Sequence, residues 1–233
     1  MNENTPVTSR DIARMIDLSL LKPQLREEDI RMGCEEALTY QVASVCCAPS
    51  QLHAAGRLLA DSQVALSTVI GFPLGYTTTE VKVFEAEQAI AAGCTELDMV
   101  MNISNMLSGN YRYVAQDIEA VVAAARPHGV LVKVILENCY LQDEEKRRAC
   151  RISEEAGADF VKTSTGFGPG GSTFDDIRLM RESVSSRVQV KAAGGIRDLD
   201  SVLLIRSLGC SRFGCTATTH IMESARRRFG EAP

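Results

Sequence analysis

Phe160-Val161-Lys162-Thr163-Ser164-Thr165-Gly166 is a short apolar strand with a lysine at its centre. It follows Gly157-Ala158-Asp159, which reads as the end of a helix, and runs into the glycine-rich stretch Gly166-Phe167-Gly168-Pro169-Gly170-Gly171. A strand between two helices is normally buried, and lysine is almost never fully buried without a partner. Lys162 therefore either snorkels to solvent or is placed for its amine. The pattern recurs. Lys191 sits in Val188-Gln189-Val190-Lys191-Ala192-Ala193 before Gly194-Gly195, Lys133 in Leu131-Val132-Lys133-Val134-Ile135-Leu136, and Asp98 in Glu96-Leu97-Asp98-Met99-Val100. Four charged side chains in four apolar strands argue against independent accidents of snorkelling.

Outward from these strands, apolar runs alternate with helical periodicity along the whole chain. Strands are expected at Ile16–Leu21, Val42–Cys47, Val64–Ile70, Glu96–Met101, Val130–Glu137, Phe160 onward, Val188–Ala192 and, very short, Ser211–Gly214. A short opening helix is expected from Ser9, with Ser9 as its cap. The helix after Gly75 is expected to open on a capping box of Thr77 and Glu80, whose spacing fits that motif. Eight strands in strict alternation with helices imply parallel pairing. They fit a closed (β/α)8 barrel, a fold of ~250 residues, and the expectation is one domain over residues 1–233. An open doubly wound sheet would place G-x-G-x-x-G after its first strand, and none is there.

Composition narrows the function. The chain is 45% hydrophobic and 24% charged, with net charge -5, so it is ordinary globular material. The one basic cluster, Arg226-Arg227-Arg228, suits the last turn of a helix, so no nucleic-acid partner is expected. The polar start, Met1 to Pro6, has no apolar core of a signal peptide, and no run approaches the ~18 residues of a membrane span. No membrane partner is expected, and the cytoplasm is the expected location. Eight cysteines without an export signal read as reduced thiols. The histidines at 53, 128 and 220 have no paired spacing and there is no C-x-x-C, so no metal site is expected.

Side chains alternate along a strand. If the charged positions face inward, Lys162, Lys191, Lys133 and Asp98 converge on the barrel axis, joined from strand one by Asp17 and Ser19. In such barrels the active site lies at the C-terminal ends of the strands. A free lysine, with pKa near 10.4, is neutral in only about one molecule in a thousand at pH 7. The neighbouring cation Lys191 would favour the neutral form of Lys162. A neutral amine attacks a carbonyl to form a Schiff base, and Asp98 can relay protons, which is the logic of a metal-free aldolase. Gly194-Gly195 after strand seven and Gly214-Cys215-Thr216 after strand eight stand where barrels often bind phosphate. Glycines let backbone amides approach an anion, and Thr216 adds a hydroxyl.

These segments resemble the deoxyribose-phosphate aldolase family along essentially the whole chain. The resemblance is carried by Ile16–Pro23, Val45-Cys46, Thr68–Gly75, Glu96–Asn102, Val132–Glu137, Phe160–Phe167 and Val190–Arg197 taken together. It implies a (β/α)8 barrel that reversibly cleaves 2-deoxy-D-ribose 5-phosphate to acetaldehyde and D-glyceraldehyde 3-phosphate without a cofactor. Carried over by position, Lys162 matches the Schiff-base lysine, Lys191 the lysine that tunes it, and Asp98 the proton relay. Asp17, Ser19, Cys46 and Lys133 match pocket positions. Gly166, Gly194, Gly195 and Gly214, with Thr216, match the phosphate end. Cys215, Ala217 and Thr218-Thr219 depart from the family pattern. Two other readings stay open at this level: a Schiff-base aldolase for a different sugar or sugar phosphate, and a non-catalytic sugar-phosphate-binding protein. Partners are expected to be small sugar phosphates and aldehydes, with a homo-oligomer, dimer or tetramer, by general precedent for enzymes.

Overall fold

The computed structural model describes residues 7–230. The polar hexapeptide at the start and the last three residues lie outside it. Strands β1 (Ile16–Leu20), β2 (Ser44–Cys47), β3 (Ala65–Ile70), β4 (Glu96–Val100), β5 (Leu131–Ile135), β6 (Phe160–Lys162), β7 (Gln189–Ala193) and β8 (Cys210–Cys215) form one closed barrel in chain order. Every neighbouring pair is parallel, and β1 closes on β8 with Asp17 opposite Gly214.

Helices cover the outside: α1 (Ser9–Ala13), α2 (Glu27–Tyr40), α3 (Leu52–Leu59), α4 (Thr79–Ala91), α5 (Ile103–Leu107), α6 (Tyr111–Ala125), α7 (Asp143–Glu155), α8 (Phe174–Ser183), α9 (Leu199–Ser207) and α10 (Thr218–Phe229). The core lies between the two rings. Outward-facing strand residues such as Leu97, Val132, Val134, Val161 and Val190 pack on Ala86, Ile118, Val121, Ala149, Ile177 and Ile205 from the helices, all fully or almost fully buried. The strand interiors thus carry two opposite patterns. The outward face is aliphatic and holds the fold, leaving the inward face free for charge.

Several boundaries differ from the sequence expectation. Thr8, not Ser9, caps α1, because its hydroxyl accepts from the Asp11 amide at 3.2 Å while Asp11 accepts from the Thr8 amide at 2.9 Å. Thr78 rather than Thr77 stands at the cap of α4, and its side chain makes no capping bond. The five-residue α5 is too short to display a helical period in the sequence. It starts where the Asn102 side chain accepts from the Asn105 amide at 3.1 Å. Strand β8 is longer than expected and carries a register shift opposite Val190 and Lys191.

Candidate active site

Each inward position along the barrel follows from the register. Asp98 pairs with Lys133, Ile135 with Lys162, Lys162 with Lys191 and Lys191 with Arg212. In a parallel sheet, registered partners share a face, so β4 through β8 aim their charges at one axis. Asp17 joins from β1 on the other side of the closure. The five residues Asp17, Asp98, Lys133, Lys162 and Lys191 therefore meet, as their alternation anticipated.

Asp98 is the hub. Its Oδ1 accepts from Lys133 Nζ at 2.8 Å, and its Oδ2 accepts from Lys162 Nζ at 2.7 Å and from Lys191 Nζ at 2.6 Å. Asp17 takes the other side of the cluster, with its Oδ2 2.5 Å from Lys191 and 3.3 Å from Lys133, and its Oδ1 2.7 Å from Arg212 Nη1. Glu96 sits two residues below Asp98 on the same face. It lies 2.7 Å from Lys133 and pairs closely with Arg212. Arg212 and Glu96 were not picked out as site residues. Glu96 is in phase with Asp98, and Arg212 is in phase with Gly214, so alternation alone carried the signal.

The four cations are not equivalent. Lys133 touches three carboxylates, and Lys191 and Arg212 each touch two. Lys162 has only Asp98, on an oxygen it shares with Lys191. Burial penalises charge on all of them. For Lys133 and Lys191 burial is outweighed by the surrounding carboxylates, and both are held above the ordinary lysine range. At Lys162 burial wins, assisted by the Lys191 charge and opposed by Asp98, and its pKa falls below the ordinary value. The direction agrees with the sequence argument, but burial exceeds the neighbouring cation as its cause. Burial would raise Asp98, yet the three lysines outweigh it and keep the carboxyl well below the usual range. Asp17 behaves likewise, with Lys133, Lys191 and Arg212 overcoming burial.

Lys162 ends β6 and opens onto a cleft of about 220 Å³ at the C-terminal end of the barrel. Ser19, Gly166, Gly194, Gly195, Gly214 and Thr216 line that cleft as well. Asp98, Lys133, Lys191 and Asp17 lie beneath it in the charge cluster. Cys46 is buried on β2 opposite Ser19, and burial together with Asp98 pushes its thiol pKa up despite the three lysines. The Ser19 hydroxyl reaches only the Asp17 carbonyl, at 3.4 Å. At Gly194, a φ of 86° and the close approach of Gly171 exclude a side chain. Two exposed cations, Lys22 and Arg197, line the same end of the cleft. Both stand inside segments quoted for the family resemblance without being assigned a role. A larger depression of about 440 Å³ lies near the N-terminal ends of β3 and β4, where no titratable side chain lines it.

The first turns of the flanking helices are partly occupied by the chain's own acids. Asp198 caps α9 through the Ser201 amide at 2.8 Å. Glu36 takes the Thr219 amide of α10 at 2.8 Å. The glycine loops, Thr216, Lys22 and Arg197 remain as the groups at this end that could meet an anion. Among the described residues, no cluster of His, Cys, Asp or Glu is arranged to hold a metal ion, and no helix is long and apolar enough to cross a membrane.

The arrangement is a lysine with one shared carboxylate partner, facing a cleft above a charge-compensated floor. Residues 11–206 match the family described as DeoC/LacD family aldolase. The chain belongs to that family. It is an aldolase, a carbon–carbon lyase. It is 51% identical over 219 residues to the deoxyribose-phosphate aldolase of Caldanaerobacter subterraneus subsp. tengcongensis, spanning 94% of this chain and 95% of that one. It is also 51% identical over 220 residues to the deoxyribose-phosphate aldolase of Rhodopirellula baltica, spanning 94% of this chain and 91% of that one. Among solved structures, the tetrameric deoxyribose phosphate aldolase of Aeropyrum pernix aligns with TM-score 0.87 at 34% identity. That alignment covers 93% of this chain and 92% of the other. The aldolase thus shares both its barrel and nearly its full length with these enzymes.

Proposed function

We propose that the aldolase reversibly cleaves 2-deoxy-D-ribose 5-phosphate to acetaldehyde and D-glyceraldehyde 3-phosphate through a Schiff base on Lys162. The observation that carries this reading is the single oxygen of Asp98 that holds both Lys162 and Lys191, with Lys162 the amine facing the cleft. The neutral Lys162 amine attacks C1 of the open-chain sugar. The carbinolamine takes a proton on its hydroxyl and loses water, leaving a protonated imine. Loss of the C3 hydroxyl proton then breaks C2–C3, whose electron pair flows into the imine. D-glyceraldehyde 3-phosphate leaves and an enamine remains. Protonation at C2 and hydrolysis release acetaldehyde and restore the amine.

Lys191 is held charged and serves as the proton donor, while Asp98, ionised at rest, takes up a proton transiently and passes it between the two amines. The 5-phosphate lies at the glycine end, against Gly166, Gly194, Gly195, Gly214 and Thr216, with Lys22 and Arg197 supplying charge. Ser19 and Cys46 border the acceptor portion. The relatives' names and the likeness of the sequence support this substrate over other sugar phosphates.

The test is imine trapping. The protein is incubated with acetaldehyde or 2-deoxyribose 5-phosphate, reduced with borohydride and digested, and the added mass is located. An ethyl adduct on Lys162, absent in Lys162→Met, is expected. No lysine adduct on the folded protein sinks the mechanism, and an adduct on Lys191 reverses the two assignments. Turnover of 2-deoxyribose 5-phosphate far above that of 2-deoxyribose separates the proposed substrate from an unphosphorylated sugar.

A further inference from the structure

Beneath the lysines lies a second layer of charge that the Schiff-base scheme does not use. Arg212 joins Asp17 at 2.7 Å to Glu96, and Glu96 joins Lys133 at 2.7 Å. Lys133 in turn is bonded at 2.8 Å to the Asp98 oxygen that Lys162 and Lys191 leave free. Glu96 is almost fully buried and Arg212 is mostly so. Buried ion pairs of this kind seldom raise stability relative to a packed apolar core, and barrel interiors are usually filled with branched aliphatic side chains. A structural purpose alone therefore gives a poor account of them.

We infer that Glu96 and Arg212 are positioning residues that act through Lys133 and Asp17 to set the electrostatic field at the Lys162 amine. The inference rests on the proposed role of Lys162. The charged and titratable groups around that amine are Asp98 from β4, Lys191 from β7, Cys46 from β2 and Lys133 from β5. Asp17 from β1 stands behind Lys191. Lys22 and Arg197 at the mouth are exposed and screened by solvent. In this interior, three carboxylates (Asp17, Glu96, Asp98) face four cations (Lys133, Lys162, Lys191, Arg212). The set is balanced when Lys162, which has the fewest partners, is neutral. Removing Glu96 makes the interior more positive and favours the neutral amine. Removing Arg212 makes it more negative and favours the ammonium. Removing both leaves the balance as it was.

The experiment follows the rate of Lys162 trapping by acetaldehyde and cyanoborohydride against pH, read by mass spectrometry. It uses the parent protein, Glu96→Gln, Arg212→Gln, the double variant and Arg212→Lys, each checked for fold by near-UV circular dichroism. The midpoint of the profile is expected to fall in Glu96→Gln and rise in Arg212→Gln by about 0.3 to 1 unit each, a two- to tenfold change in trapping rate below the midpoint. The double variant and Arg212→Lys return to the parent midpoint. Loss of rate with unmoved midpoints, or shifts of the same sign, overturns the inference and leaves a structural role. If Arg212→Gln does not fold, Glu96→Gln decides alone, and an unmoved midpoint there overturns the inference. Failure of the parent to trap at Lys162 is a different result, because it overturns the proposed mechanism itself.

Discussion

Substituting Glu137 by glutamine should separate binding of the phosphorylated substrate from imine chemistry. Glu137 follows β5 in the left-handed region, at φ 54°, and is 1% exposed. Its carboxylate accepts from the Thr165 amide, with its oxygens 3.2 and 3.3 Å away, and closely from the Thr165 hydroxyl. That hydroxyl in turn accepts from the Phe167 amide at 3.0 Å. Thr165, Gly166 and Phe167 form one wall of the cleft, and the Phe167 ring stands edge-on to Phe72 at 5.2 Å. The carboxylate also packs under Gly168, where a Cβ would come 3.1 Å from Cys139 Sγ and 3.2 Å from Glu137 Cδ. A glutamine keeps the shape and one acceptor but turns an NH2 toward the hydroxyl or the amide. Losing one charge-assisted hydrogen bond costs about 1.5–3 kcal/mol. If the bond orders the wall, that cost appears in KM for 2-deoxyribose 5-phosphate, as a rise of about ten- to hundredfold. Lys162 and Asp98 are untouched, so the acetaldehyde trapping rate should change less than about twofold, within the usual effect of a site with no shared partner. Steady-state kinetics and trapping on one preparation give both numbers. A trapping rate that drops in step with KM, or a KM that does not move, would refute the idea that Glu137 works through the wall.

Lys191→Met should raise the Lys162 pKa, because it removes a like charge and leaves the shared Asp98 oxygen to one amine. Both amines bind that oxygen within 2.7 Å, so they are within about 5 Å of each other and repel by roughly 3 kcal/mol at an effective dielectric of 20, or about 2 pKa units. Trapping should then fall about a hundredfold at pH 7 and recover with rising pH, whereas a deficit constant with pH would show that Lys191 acts otherwise. Lys82 is fully buried with Asp117 at 2.5 Å and also donates to the Val100 carbonyl at 2.9 Å. Lys82→Met should cost about 3–5 kcal/mol in urea unfolding by stranding the carboxylate. Lys82→Met/Asp117→Leu should recover most of it, and an equally unstable double variant would rule out the stranded charge. Asp17 and Asp98 are held below the usual range by their lysines, so their stabilisation is present above the unfolded pKa of about 3.9 and is lost as pH falls toward the folded values. Urea midpoints should decline from about pH 5 downward, less steeply in Asp98→Asn, and parallel slopes would contradict the assignment.

The barrel and most of its inward charges were legible because both depend on a period of two. Asp98, Lys133, Lys162 and Lys191 interrupt apolar strands, and an interruption in phase is visible without coordinates. Arg212 was not, because β8 is bulged against β7 and read as a short polar fragment. Glu96 shared the face of Asp98, but nothing in the chain announced that an arginine 116 residues away would meet it. Glu137 was invisible for another reason. A left-handed backbone is expected of glycine or asparagine, and no local rule puts a glutamate there. The cap of α1 moved one residue because Thr8 and Ser9 both carry a hydroxyl, and only the partner amide of Asp11 distinguishes them. The depressed Lys162 pKa was anticipated from a neighbouring cation, but the depth of the amine in the barrel, which dominates, is a property of the closed fold.

The separation of the two strand faces explains how so costly a floor survives. Most inward charges stand on strands whose outward neighbours are buried apolar side chains, as with Leu97 and Met99 around Asp98, or Val132 and Val134 around Lys133. Packing free energy accrues on the outer face and offsets desolvation on the inner one, so the interior can hold seven charged groups without dissolving the barrel. Within that interior the cation without a carboxylate of its own is the one that ends its strand at the cleft. On the proposed mechanism Lys162 gives up its charge to become a nucleophile, and the protonated imine returns a positive charge to the same place. The floor then passes between two charge states already accommodated by Asp98, and little of the surrounding network has to reorganise when the bond to substrate forms.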